Sequence, residues 1–372
     1  MEEKKARIAI THGDFNGIGY EVILKAMEEP HLQNICTPIL YGSMKIASYY
    51  KKLLEIEGVT FNLINNPAEA LPRRLNVIDC VPEDLKVEFS KSTPEAGKAA
   101  FMALERVMED IRNRQIDALV TAPINKNNIQ SKDFDFPGHT EYLQQSAAAK
   151  GQKALMILCS DELRVALVTG HVPVSKISSS LTVENILEKI QIFNQSLRYD
   201  YAIARPRIAV LALNPHASDG GLIGDEERLV IIPALNAAKE KGLLVFGPYP
   251  ADGFFGSGNY RKFDGVLAMY HDQGLAPFKA ISMENGVNFT AGLPFVRTSP
   301  AHGTAYDIAG QGIASEDSFR QALYMAIDIV ANREQYYQNH KNPLRKQYYD
   351  KSGGSDDLNL TIEDDRDRMY VK

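Results

Sequence analysis

Short apolar or β-branched runs alternate with longer segments of helical period along most of the chain. Residues 7–11, 38–41 and 118–121 read as strands, and 20–29, 43–57 and 94–114 as helices. In the last of these Ala100, Leu104, Val107 and Ile111 recur at helical spacing and lay one apolar stripe along a face. The middle third differs. Residues 155–159 and 165–169 are apolar runs around a turn-like Ser-Asp-Glu spacer, which predicts an antiparallel hairpin. A helix over 182–199, a strand over 208–213, a helix over 226–241, strands over 243–246 and 266–270, and a closing helix from 315 to about 338 restore the alternation. This order implies α/β layers on a largely parallel sheet. A chain of 372 residues is long enough for two lobes with a cleft. Residues 346–372 are polar and acidic and read as a tail without chemistry.

One of the strands ends oddly. In FDGVLAMYHDQG the apolar run gives way to His271 and Asp272, groups that water solvates and a core does not. The placement recurs: His171 follows VALVTG and His216 follows VLALNP. Side chains at the carboxyl edge of an open α/β sheet face the ligand crevice. Three imidazoles there, with one position left open, form a usual catalytic divalent-metal arrangement. Imidazole also suits zinc, cobalt, manganese or iron better than calcium. A single histidine at a strand end is ordinarily a hydrogen-bonded loop residue, and no short motif such as HExxH supports this trio, so the recurrence carries the weight.

Other polar groups sit at similar junctions. FPGHTEYL puts His139 and Thr140 at a helix start, where free N–H groups favour an anion, with plain capping by Thr140 as the bland alternative. Lys279, Asn288 and Arg297 follow the third histidine, and Arg297 within an apolar segment needs an anionic partner, either a ligand or a structural carboxylate. Asp252 and Asp272 are placed to orient imidazoles, with ordinary turn capping as the bland alternative. Neither HGDFNGIGYE nor Gly256-Ser-Gly258 matches the GxGxxG dinucleotide loop. The net charge of −6, with no dense Lys/Arg block, lacks the footprint of a nucleic-acid binder. No segment reaches the roughly 18 apolar residues of a membrane span, and no signal-peptide run follows the N-terminus. Three dispersed cysteines in apolar stretches, Cys36, Cys80 and Cys159, point to a reduced, cytoplasmic setting.

The strings GDFNGIGYE, TAPINK, FPGHTEYL, LNPHASDGGLIGDEE, MYHDQGLAPFK and GVNFTAGLPFVRTSPAHGTAYDIAGQG, in that order over roughly residues 7 to 330, resemble the 4-hydroxythreonine-4-phosphate dehydrogenase family. HGTAYDIAGQGIASE also looks like the cofactor loop of isocitrate and isopropylmalate dehydrogenases. The resemblance implies a two-lobed α/β/α dehydrogenase of that type. Residues 1–130 with 283–345 would build the dinucleotide side, and 131–282 the central domain with the metal ligands and dimer contact. It implies NAD or NADP, one divalent metal (Zn, Mg, Mn or Co) on His171, His216 and His271 drawn from both subunits of a homodimer, and a phosphorylated hydroxy acid held by His139, Thr140, Lys279, Asn288 and Arg297. His302 and Asp307 would meet the dinucleotide. Lys279, Asp272 and Asp252 are the catalytic candidates, the proton acceptor being Lys279, if desolvated, or a water held by Asp272. Three positions depart from the family pattern: Phe15 for Pro, and Gly170 and Gly253 for Thr. Oxidation of the C3 hydroxyl followed by decarboxylation is the expected reaction. Alternatives are the same oxidation of threonate or erythronate phosphate, a metal-dependent hydrolase, and a metabolite-binding protein without turnover.

Overall fold

The computed structural model describes residues 5–131, 134–136, 138–147 and 153–341. The expected acidic tail lies outside them. Twelve strands form one sheet among these residues: β1 Ala6–Thr11, β2 Cys36–Gly42, β3 Phe61–Ile64, β4 Leu75–Asp79, β5 Ala118–Thr121, β6 Leu155–Cys159, β7 Arg164–Leu167, β8 Arg207–Leu211, β9 Leu244–Tyr249, β10 Gly265–Ala268, β11 Val287–Ala291 and β12 Val296–Pro300. Their order is β3-β4-β2-β1-β5-β12-β11-β6-β7-β10-β8-β9. Parallel pairing runs from β3 to β12 and again from β7 to β9. Between these halves β11 is antiparallel to both β12 and β6, and β6 to β7, so the halves run in opposite senses. The predicted hairpin is the β6–β7 pair.

Local chemistry sets the helix starts. Thr93 accepts a hydrogen bond from Ala96 N at 3.3 Å and Pro94 occupies the first turn of helix Pro94–Arg112. Thr182 caps Val183–Tyr199 in the same way. Several bounds shift, as where the helix read over 43–57 spans Met44–Leu53 and the strand read over 208–213 spans Arg207–Leu211, and two elements differ in kind or cause. The helix read over 226–241 opens as a π segment, Glu227–Ile231, before the α-helix Ile232–Glu240. The strand read over 266–270 ends at Ala268, because Tyr270 is already the extended cap of helix His271–Ser282. The closing helix, Asp317–His340, packs on β12, β5 and β1, and Thr298 Oγ1 donates to Ala322 O at 2.8 Å. Apolar side chains between sheet and helices are buried on both faces. No helix among the described residues is long and apolar enough to cross a membrane.

Candidate active site

Strands β7, β10 and β8 are neighbours and parallel, so the three loops that leave them carry His171, His271 and His216 from consecutive positions of the sheet. The β7–β10 ladder continues beyond the strands: Thr169 N and Oγ1 both donate to Met269 O, at 3.1 and 2.7 Å. This brings the His171 and His271 rings to a centroid separation of 5.6 Å. His271 opens a helix, and its Nδ1 lies 2.6 Å from Asp272 Oδ1, a contact that favours the Nδ1–H tautomer and leaves the Nε2 lone pair available. Burial lowers the His171 pKa, Lys126 and His271 lower it further, and Glu141 opposes them.

His216 does not join this pair. Among the described residues no three His, Cys, Asp or Glu side chains converge as a metal cluster within one chain. His216 is exposed and begins a run of left-handed residues through Gly220, at φ of 54, 52, 68, 47 and 70°. Such backbone costs about 1–2 kcal/mol per non-glycine residue and persists only when its surroundings dictate it. Buried Glu227 does so here. Its carboxylate accepts from Leu213 N at 2.8 Å, Asn214 N at 2.7 Å and Asn214 Nδ2 at 2.9 Å, and from Ser218 Oγ. Around these loops Val174 is 83% exposed and Leu222 81%, with Val172, Ile223, Leu229 and Ile232 also exposed.

The second part of the site is buried. Arg297 on β12 is 2% exposed; it donates to Thr121 Oγ1 at 2.6 Å and Thr290 Oγ1 at 3.1 Å, while its Nε has no partner. No carboxylate among the described residues lies within 4.0 Å of its guanidinium, so the structural ion pair allowed by the sequence is absent. Burial pushes the guanidinium pKa down to about 10, with Glu141 opposing. His139 heads helix His139–Ala147 as expected, with Thr140 inside the first turn. Its Nε2 is buried without a partner, and burial, Arg297 and Lys126 hold its pKa well below the ordinary value. Asn288 Oδ1 is a third orphaned polar atom. Orphaned donors and acceptors beside an unpaired buried cation are what a missing anionic ligand leaves behind.

The remaining candidates are more open. Lys279 is exposed, and its ammonium makes no hydrogen bond or ion pair with any described residue. Asp252 is exposed in the first turn of Ala251–Gly256. His302 Nδ1 lies 3.0 Å from Gly303 O, its Nε2 is buried without a partner, and burial lowers its pKa; the Asp307 side chain is exposed. The loop carrying both docks on the first glycine loop: Ile18 N donates to Thr304 O at 3.1 Å and Tyr306 OH to Asp14 Oδ2 at 2.6 Å. Asp14, Tyr306, Lys126 and Glu141 were not among the candidates, although each lies inside a quoted string and neighbours a candidate residue or its loop. Of the departures, Phe15 is buried and stacks on His12 at 6.3 Å. A Cβ on Gly170 or Gly253 would meet nothing within 4 Å. Two cavities of 330 and 490 Å³ lie elsewhere, lined by Pro82–Met102 side chains and by residues around Lys51, and no candidate residue lines either.

A mixed α/β scaffold that carries imidazoles at one strand edge and a buried guanidinium without a carboxylate partner is that of an enzyme. The family model described as "Pyridoxal phosphate biosynthetic protein PdxA" matches residues 34–326, and the chain belongs to this dehydrogenase family. It is 59% identical over 366 residues to the 4-hydroxythreonine-4-phosphate dehydrogenase of Bacteroides thetaiotaomicron, covering 98% of this chain and 100% of the relative. It is 38% identical to a putative D-threonate 4-phosphate dehydrogenase of Oceanobacillus iheyensis, covering 89% and 99%. Among solved structures, the 4-hydroxythreonine-4-phosphate dehydrogenase of Klebsiella pneumoniae is 35% identical and superposes with a TM-score of 0.76, covering 88% of this chain and 100% of that one. The family and the α/β class expected from the sequence are therefore both met.

Proposed function

We propose that this chain oxidises the C3 hydroxyl of 4-phosphohydroxy-L-threonine with NAD or NADP, and that the resulting β-keto acid loses carbon dioxide to give 3-amino-2-oxopropyl phosphate. The observation that carries this reading is Arg297, a buried guanidinium with threonine hydroxyls but no carboxylate against it. It calls for an anion, and the substrates named for the relatives are phosphate esters. In this reading Arg297, His139, Thr140 and Asn288 bind the phosphate, and Lys279 closes over it from the exposed side.

His171, His271 and, from a second copy, His216 would hold one divalent cation, zinc, magnesium, manganese or cobalt; the donor chemistry fits, and two of the three rings already lie with centroids 5.6 Å apart. When bound, such a cation supplies Lewis acidity that lowers the hydroxyl pKa. Asp272 orients His271 through Oδ1, and its Oδ2, which accepts no hydrogen bond among the described residues, is placed to hold the water that takes the hydroxyl proton. Asp252 stands at the rim to meet the substrate amine. His302 and Asp307 are assigned to the dinucleotide, which accepts the hydride; the orphaned Nε2 of His302 supports that assignment. The exposed apolar residues beside His171 and His216 support a homodimer that completes the site. The two opposed sheet halves support two lobes, 1–130 with 283–345 and 131–282. Three unpaired cysteines support a reduced, cytoplasmic setting.

The test is a turnover screen with divalent metal, either dinucleotide, and the phosphates of hydroxythreonine, threonate and erythronate. Reduction of dinucleotide is expected with the first above the other two. Preference for threonate phosphate would reassign the substrate, and no reduction with any of the three would remove the dehydrogenase reading.

A further inference from the structure

The turn at 125–128 leaves β5 and is fixed from several sides. Asn125 Oδ1 accepts from Asn127 N at 2.8 Å and Asn128 N at 3.3 Å, while Asn125 Nδ2 donates to Tyr306 OH at 3.1 Å. Asn128 Nδ2 donates to Asp14 Oδ2 at 2.7 Å, the oxygen that also accepts from Tyr306. The backbone of Lys126 is thus held through asparagines on either side, yet its ammonium makes no ion pair or hydrogen bond with any described residue. Its Cε lies 3.8 Å from where a Cβ on Gly138 would stand, and Glu141 Oε2 lies 3.6 Å from the same point. Lys126 therefore leans over the start of helix His139–Ala147, and its charge is felt at both His139 and His171. Arg297 also acts on His139. Two cations without paired carboxylates thus flank one histidine, and the single charge of Glu141 cannot balance both.

We infer that Lys126 is a substrate-binding residue that takes a second anionic group, the carboxylate, while Arg297 takes the phosphate. The division follows from the two side chains. A buried guanidinium offers a fixed fork that matches phosphate, whereas an ammonium on a flexible stem is a point charge suited to a group at the open side. Because this rests on the reaction proposed above, its test is made on binding as well as turnover. The probes are 3-phosphoglycerate, which carries phosphate and carboxylate, and glycerol 3-phosphate, which carries phosphate alone, titrated calorimetrically into wild type, Lys126→Met and Lys126→Arg.

Wild type should bind 3-phosphoglycerate more tightly, by about 10- to 100-fold, the worth of one hydrogen bond to a charged group. Lys126→Met should lose that preference, keep glycerol 3-phosphate affinity, and raise KM for the turned-over substrate more than it lowers kcat; Lys126→Arg should restore most of the preference. An unchanged preference in Lys126→Met, or loss of glycerol 3-phosphate binding, overturns the assignment, the latter by making Lys126 part of the phosphate subsite. Failure of the proposed reaction reads differently: wild type then reduces no dinucleotide whatever the probes show.

Discussion

The two parts of the candidate site differ in how far one chain completes them. Around Arg297 the hydroxyls of Thr121 and Thr290 are already placed, the cation is buried, and its Nε has no partner among the described residues. At the β7–β10–β8 edge two imidazoles lie with ring centroids 5.6 Å apart, while the third is carried off on a left-handed turn beside exposed apolar side chains. The first part is preorganised by the fold of one chain; the second is half of an arrangement whose remainder, in the proposed reading, comes from another copy. Preorganisation within one chain costs stability there, since an unpaired buried charge is unfavourable.

The sharpest way to break this comparison is at Arg297. Arg297→Met should lower kcat/KM by about 10²–10³-fold, the size expected for a lost preorganised donor, while thermal unfolding shows no loss of stability because an unpaired buried charge has gone. A destabilised variant with full activity would mean that Arg297 is structural. At the open edge, Asp272→Ala should weaken divalent-metal affinity about 10- to 100-fold by releasing the His271 ring; unchanged cobalt titrations would remove that role. A smaller effect concerns acid. Burial pushes the His12 pKa down to about 4 and also lowers that of His139, so both stay neutral in the folded chain while the unfolded chain takes up protons below about 6.5. Stability should therefore fall as pH drops from about 6.5 toward 4, and His12→Phe should flatten the slope in pH-dependent melting. The smallest effect is expected at the departures from family pattern: Gly170→Thr and Gly253→Thr have open space for the new side chain and should leave the melting temperature within about 2 °C. A large drop at either would show a packing constraint.

Legibility in the sequence followed the same divide. Strands with clean apolar runs, β5 and β6, were readable to the residue; the β6–β7 hairpin was readable as such, although β7 runs over Arg164–Leu167 and not 165–169. Strand β12, VRTSP, is fully buried yet polar, since Arg297 bonds to Thr121 and Thr290 and Thr298 to the closing helix; no hydrophobic pattern announces it. Edge strand β3 is half exposed and equally faint. The histidine trio was visible because imidazole at a strand end is conspicuous, and the proposed phosphate side was visible through Arg297, a cation within an apolar segment. Lys126 and Glu141 were not, since a lysine and a glutamate in loop and helix look like ordinary solvated charges until the fold sets both near Gly138. Nor does any periodicity foretell five left-handed residues after Pro215; they depend on Glu227, which closes the turn from beyond it in the chain.

The claim that two copies share each site is tested most directly by mixing two inactive variants, His171→Ala and His216→Ala, after subunit exchange. Because each mixed dimer would hold one intact site and one doubly damaged site, activity should return to about a quarter of the wild-type value at equal mixing. No recovery, with exchange verified by mass, would contradict a site built from His171 and His271 of one chain and His216 of the other.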